Sequence, residues 1–204
     1  MYNIDAIYRD ENSNEAVVIC DKKSYRITVH DLECLDFSEK DIIDDDALDL
    51  LEQAVLRLSC IKKAFDFLSY GDLSKKQLRD KLCRKFDKEL AEDVALLFEE
   101  RGYIDDARLA ERYAETFYEF KNMGLQRIRN ELYKRGISRE IIELVLEKYE
   151  NCDQTDRIYE FIRKKYDVAK LDDIKYRQKV YAGALRAGFS GIEVGEILRN
   201  FESE

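Results

Sequence analysis

The side chains of this chain best suited to intermolecular chemistry are its cations, and they occur in clusters. Arg79, Arg84 and Lys85 form one group, and Arg127, Arg129, Lys134 and Arg135, with Lys121 just ahead, form a second. Arg163, Lys164 and Lys165, followed by Lys175, Arg177, Lys179 and Arg186, form a third. Arg127 and Lys134 stand seven residues apart and so share one helix face, while Leu125, Ile128 and Leu132 fall on the core side. Cations in such a row suit a phosphate backbone or an acidic groove on a partner protein. They equally suit a solvated face laced by pairs such as Arg127–Glu131. Both readings stand at this level.

Catalytic sets are hard to assemble. The single histidine, His30, lies beside a predicted strand with no serine or cysteine partner evident. There is no phosphate-binding glycine loop, no dinucleotide fingerprint and no zinc spacing. Asp105 and Asp106 have no His or Cys nearby and read as helix caps rather than metal ligands. The acidic run over residues 38–46 lacks the spacing and the glycine of a calcium loop. The expectation is a protein that is not an enzyme and needs no cofactor or metal.

Bulk properties agree with a helical, soluble chain. Of its 35 basic and 44 acidic residues, positions 1–57 hold 6 and 15, which leaves 29 of each for the remainder. The net charge of −9 is thus N-terminal, and the rest is neutral enough to carry a basic face. Proline is absent, and no run approaches the roughly 20 apolar residues of a membrane span. The opening Met1-Tyr2-Asn3-Ile4-Asp5 lacks a basic and an apolar segment, so no signal peptide is expected and a cytoplasmic site is. The five scattered cysteines read as buried or half-buried free thiols.

Residues 1–35 read as two or three strands. Ile4, Ala6 and Tyr8 alternate, Ala16 to Cys20 form an apolar run, and Tyr25, Ile27 and Val29 alternate again. Turns are expected at Asp10-Glu11-Asn12-Ser13-Asn14 and Asp21-Lys22-Lys23-Ser24. From Ala47 onward the period is helical. Leu51, Ala54, Val55, Leu58, Ile61, Phe65 and Leu68 form one stripe, broken at Gly71. Ser74 with Gln77 makes a capping box, and Asp87 caps the helix after it. Gly102 is a stop, Tyr103 and Ile104 are apolar plugs, and Asp105 or Asp106 opens the next helix, whose core face is Leu109, Ala110, Tyr113, Ala114 and Phe117.

The pattern then recurs. Phe86, Ile137 and Phe189 lie 51 and 52 residues apart, each followed by Asp or Ser and a helix. Each is preceded by a partly basic helix and, ahead of that, another helix. Gly136 and Gly188 precede two of these anchors; the first reads Cys83-Arg84-Lys85-Phe86, without a glycine, so its helix must end differently. The fold predicted is mainly α: three tandem three-helix repeats in a curved array behind a small β-containing module. The boundaries are 1–46 for the module, 47–104 for a linking helix with the first repeat, 105–150 for the second and 151–204 for the third.

Gly102-Tyr103-Ile104-Asp105-Asp106 with Leu109-Ala110, then Lys121 and Gly124, then Arg127-Ile128-Arg129, Leu132 and Arg135-Gly136-Ile137, closely resembles the RecX family, bacterial regulators of the RecA recombinase. The resemblance covers about residues 61–201, and the acidic N-terminal extension is similar to that of longer members. It implies a modulator that binds RecA nucleoprotein filaments along their groove and inhibits strand exchange and the associated ATP hydrolysis. A monomer is expected, with single- or double-stranded DNA as a further partner and no membrane. Two alternatives remain: a helical-repeat protein that binds DNA directly, and a generic adaptor for an unrelated protein.

Overall fold

The computed structural model describes residues 1–10, 13–150 and 152–201. Glu11 and Asn12 of the expected first turn, Asn151 at the start of the third repeat and residues 202–204 lie outside these. The described residues form strands β1 (Tyr2–Arg9), β2 (Glu15–Cys20), β3 (Lys23–Thr28) and β4 (Ile42–Ile43). They also form ten α-helices: α1 (Val29–Leu35), α2 (Asp45–Ser69), α3 (Lys75–Leu82), α4 (Lys88–Glu100), α5 (Asp106–Glu115), α6 (Leu125–Lys134), α7 (Arg139–Glu150), α8 (Thr155–Lys165), α9 (Ile174–Arg186) and α10 (Gly191–Asn200). The chain is therefore mainly α behind an antiparallel sheet, with α2–α3–α4, α5–α6–α7 and α8–α9–α10 as successive helix triplets. It divides into two compact units, residues 1–72 with 78–103, and residues 73–77 with 104–204. No helix of the described residues is long and apolar enough to cross a membrane.

In the N-terminal unit the sheet order is β3-β2-β1-β4. Ala16, Val18 and Cys20 alternate inward along β2, and Tyr25 and Ile27 along β3, against Leu51 and Ala54 of α2. Three details differ from the sequence reading. The register shifts between Ile4 and Ala6, and this irregularity reverses the parity of β1, so Tyr8 is exposed and Ile7 packs on the core instead. The second turn shrinks to Asp21 and Lys22, both at positive φ, so Lys23 and Ser24 already belong to β3. Val29 and His30 open a helix rather than extend a strand, because the Thr28 hydroxyl accepts from the Asp31 amide and starts α1 there.

Helix α2 begins two residues before Ala47. Asp44 accepts from the Ala47 amide at 2.9 Å, and Asp45 and Asp46 occupy the positive end of the helix. Its stripe buries Leu51, Ala54 and Leu58, while Phe65 is half-exposed and held by rings: Phe98 at 4.7 Å and Tyr103 at 5.0 Å. Tyr103 is thus less of a plug than Ile104, which is fully buried. Cys20 and Cys60 are buried, and burial pushes the Cys60 thiol up to about 12; Cys34, Cys83 and Cys152 are exposed, against expectation.

In the C-terminal unit two cores form. Leu109, Phe117, Ile128, Leu132, Ile137, Ile142 and Leu146 close the α5–α6–α7 triplet. Ile158, Phe161, Ile162, Val180, Phe189, Val194 and Leu198 close α8–α9–α10. The helix predicted from Asp105 or Asp106 through Phe117 stays α-helical only to Glu115 and widens to a π turn over Thr116–Phe120. The wider turn lets the adjacent side chains of Phe117 and Tyr118 both enter the core.

Candidate partner-binding surface

Helix α6 carries the central cluster, and its sequence dictates its orientation. Ile128 and Leu132, one turn apart, are completely buried, so the residues between them face outward or sideways. Arg127 is exposed and has no ion pair among the described residues. Lys134 is exposed and reaches the Glu131 carboxylate at 3.1 Å, one helical turn back. That ammonium, with Arg135, holds the Glu131 carboxyl below its ordinary range.

The neighbouring arginines are committed within the fold. Arg129 donates to both oxygens of Glu143, at 3.1 and 2.9 Å, and to Glu150 at 2.8 Å, clasping α6 to α7. The charge and hydrogen bonds of Arg129 hold Glu143 below the usual carboxylate range. Arg129, grouped in the sequence with the cations suited to a partner, thus serves the fold. Arg135 lies over the Tyr113 and Phe117 rings at 4.6 and 5.3 Å and pairs with Glu131. In the first cluster Arg79 is tied to Asp80 and Glu92, whereas Arg84 and Lys85 are exposed. Lys121 is exposed, with its ammonium 4.9 Å from the Phe117 ring. Arg163, Lys164 and Lys165 form the exposed last turn of α8, where cations favour the helix end. Lys175, Lys179 and Arg186 are exposed on α9, while Arg177 donates to the Leu171 carbonyl.

The glycines and aspartates of the motif are structural. Gly102, Gly136 and Gly188 all have positive φ, at 73, 85 and 93°. Each ends its helix with the same pair of bonds: the following residue donates five back, as Ile137 does to Leu132 at 3.3 Å, and the glycine three back, as Gly136 does to Tyr133 at 2.9 Å. Asp105 caps α5 through the Arg108 amide at 2.9 Å. Asp106 accepts from the Lys75 amide at 3.0 Å and so caps the start of α3 instead. Among the described residues no three His, Cys, Asp or Glu side chains gather as a metal site.

Gly124 makes a close backbone joint within the C-terminal unit. Its amide donates to the Ala187 carbonyl at 2.9 Å, and the Gln126 amide donates to Gly188 at 3.1 Å. The start of α6 is thus capped by the turn that ends α9, and Arg127 is seated directly against Gly188. Sequence reasoning missed the pin of this joint, Arg157. Its guanidinium is 3.5 Å from the Tyr118 ring centre, donates to the Tyr118 and Met123 carbonyls at 2.9 Å, and also meets Gln154. Burial pulls its pKa below the ordinary value. Only Gln154 is near it in the chain; the two carbonyls that fix it lie 34 and 39 residues away.

Fold and surface together define a tandem helical-repeat protein that displays exposed cations on several of its helices. A family model described as RecX, second three-helix domain, matches residues 105–146. The regulatory protein RecX of Chlorobium phaeobacteroides is 33% identical over 142 residues, 67% of this chain and 92% of that one. Its counterpart in Finegoldia magna is 26% identical across 90% of this chain and 91% of the relative. With the Clostridioides difficile protein, 28% identical, the match spans 55% of the relative's length. A crystal structure of regulatory protein RecX shares the fold with a TM-score of 0.81 at 20% identity, covering 98% of this chain and 100% of that one. RecX from Lactobacillus salivarius does so at 0.62 and 22%, covering 72% and 97%. The chain belongs to the RecX family of regulatory proteins.

Proposed function

We propose that this protein binds RecA nucleoprotein filaments and slows strand exchange and the associated ATP hydrolysis, acting in the cytoplasm as a monomer. Arg127 and Lys134 on α6 are the contact at its centre, with Arg84, Lys85, Lys121, Arg163 and Lys164 as flanking contacts. The observation that carries the reading is Arg127: an exposed guanidinium without an acid partner among the described residues, on a helix start pinned by two backbone hydrogen bonds. Membership of a regulatory family supports a role exercised by contact, and the resemblance at residues 102–137 supplies RecA as the partner. Units with the boundaries 47–104, 105–150 and 151–204 would each add a weak contact, and linkage raises the effective concentration of the next. Arg129 and Arg135 then serve by orienting α6 rather than by touching the partner.

The test is a titration of Arg127→Glu/Lys134→Glu into a RecA ATPase assay on single-stranded DNA at two salt concentrations. Both positions are on the surface, so stability should stay within about 0.5 kcal/mol of wild type. Inhibition should weaken, and the salt dependence that remains should be shallower. Equal inhibition by the folded double variant at both salt concentrations would remove α6 from the contact. A wild type without effect on RecA under filament-forming conditions would leave the adaptor reading in its place.

A further inference from the structure

The N-terminal unit contains a groove of about 310 Å³ that the α6 surface does not explain. It runs between the end of the sheet, α2 and the last turn of α4. Three rings form one wall. Phe98 is buried, and against it stand Phe65 and Tyr103, 43% and 53% exposed, with ring centres 4.7 to 5.3 Å apart. Half-exposed rings in mutual contact are held in place without being sealed, which is how a stacking platform differs from a core.

The rim is cationic. Arg57, Lys62 and Arg101 line the groove, with the His30 ring beside them, against a single acid, Glu15. Glu15 is itself held by Lys62 at 2.7 Å and Arg26 at 3.7 Å, and Arg57 by Asp31 at 3.0 Å. Arg101 is exposed, with no acid paired to it among the described residues. This concentration of positive charge stands beside the acidic part of the chain, positions 1–57, with 6 basic and 15 acidic residues. The site therefore asks for two things together: a flat apolar ring and a negative charge adjoining it.

We infer that this groove binds single-stranded nucleic acid, with one unpaired base against Tyr103 and Phe65 and its phosphate on Arg101. A strand presents a phosphate at every step, so a neighbouring phosphate meets Lys62 along the same rim. An acidic peptide offers charge without the ring, and a duplex keeps its bases stacked inside. The inference is independent of any contact with RecA.

The experiment uses the full chain alone. Anisotropy with a labelled oligothymidine, and with the same strand carrying abasic sites, is measured for wild type, Tyr103→Leu and Arg101→Gln. Wild type should prefer the intact strand by roughly tenfold, and Tyr103→Leu should lose that preference. Arg101→Gln should keep the preference, bind both strands more weakly and lower the salt slope by about one. A wild-type crosslink from a 5-iododeoxyuridine strand should map to Tyr103 or Phe65, a readout that needs no variant to fold. Equal wild-type affinity for intact and abasic strands, a crosslink that maps only outside the groove, or competition by an acidic peptide as effective as by the strand would each overturn the inference.

Discussion

Replacing Gly188 with alanine tests the joint between the α5–α6–α7 and α8–α9–α10 triplets most directly. Two costs are separable. The first is conformational: at φ 93° an added Cβ is disfavoured by about 1 kcal/mol. The second is steric: that Cβ would stand 2.4 Å from the Arg127 nitrogen, 2.5 Å from its Cβ and 2.7 Å from the Gly124 oxygen. Two of these are backbone atoms, so no side chain can swing aside, and the start of α6 must move. Moving it strains or breaks the bonds from Gly124 to Ala187 and from Gln126 to Gly188, each worth about 1 kcal/mol. The total is about 3 kcal/mol. Gly102→Ala is the internal control, because Gly102 has φ 73° but nothing within 4 Å of an added Cβ, leaving only the first cost, about 1 kcal/mol. Urea melts of both variants give the difference, and hydrogen exchange at the Gly124 and Gln126 amides locates it. If the two substitutions cost the same, or if those amides stay protected in Gly188→Ala, close backbone approach does not hold the joint.

Two further outcomes follow from the ties within the C-terminal unit. Arg129 depresses the Glu143 pKa in the folded state, so its stabilisation is complete above the unfolded carboxyl value of about 4.3 and disappears as pH falls through the lower folded value. Arg129→Gln should accordingly melt lower than wild type at pH 7, with the gap narrowing below about pH 4; a gap unchanged down to pH 2 would reject the clasp. Asp105→Ala and Asp106→Ala should each cost about 1 kcal/mol, the first through α5 and the second through α3, and a neutral Asp106→Ala would remove the cross-helix cap.

What could be read in the sequence was whatever is decided within one turn of chain. Asp44, Asp87 and Asp105 cap the helices they precede, Ser74 and Gln77 exchange their two bonds at 3.1 Å, and Gly102, Gly136 and Gly188 end theirs. What could not be read depends on pairing over distance. The register shift between Ile4 and Ala6 is a relation between two strands, and alternation along β1 alone points Tyr8 the wrong way. Charge counting found Arg127 and Arg129 alike, yet one is unpaired and the other is held by acids 14 and 21 residues on. A signal for that was present: Glu143 and Glu150 are seven apart, so both lie on one face of α7. No comparable signal existed for Arg157, whose distant acceptors are the backbone carbonyls of Tyr118 and Met123.

The missing glycine of the first repeat can be explained by what lands on the other two. Gly136 and Gly188 each receive the start of a helix. The Ser74 hydroxyl donates to the Arg135 carbonyl, and an added Cβ at Gly136 would stand 2.6 Å from the Lys76 Cβ. Gly124 meets Ala187 and Gly188 in the same way, so the cap position of one second helix contacts the last carbonyl of the next in both places. At the corresponding place in the first triplet Lys85 is exposed, and Phe86 donates to Leu82 at 3.0 Å, an ordinary helical bond rather than the longer closure at Ile137 and Phe189. Among the described residues no backbone bond from a helix start reaches Lys85, and its side chain is exposed. The start of α9 behaves in complementary fashion. Asp173 caps α9 with its own carboxylate, at 2.9 Å from the Lys175 amide, and Ile174 beside it is exposed. The Gly124–Gly188 contact thereby fixes the backbone and Cβ of Arg127, so the residue proposed to meet the partner takes its place from a contact that does not involve its guanidinium.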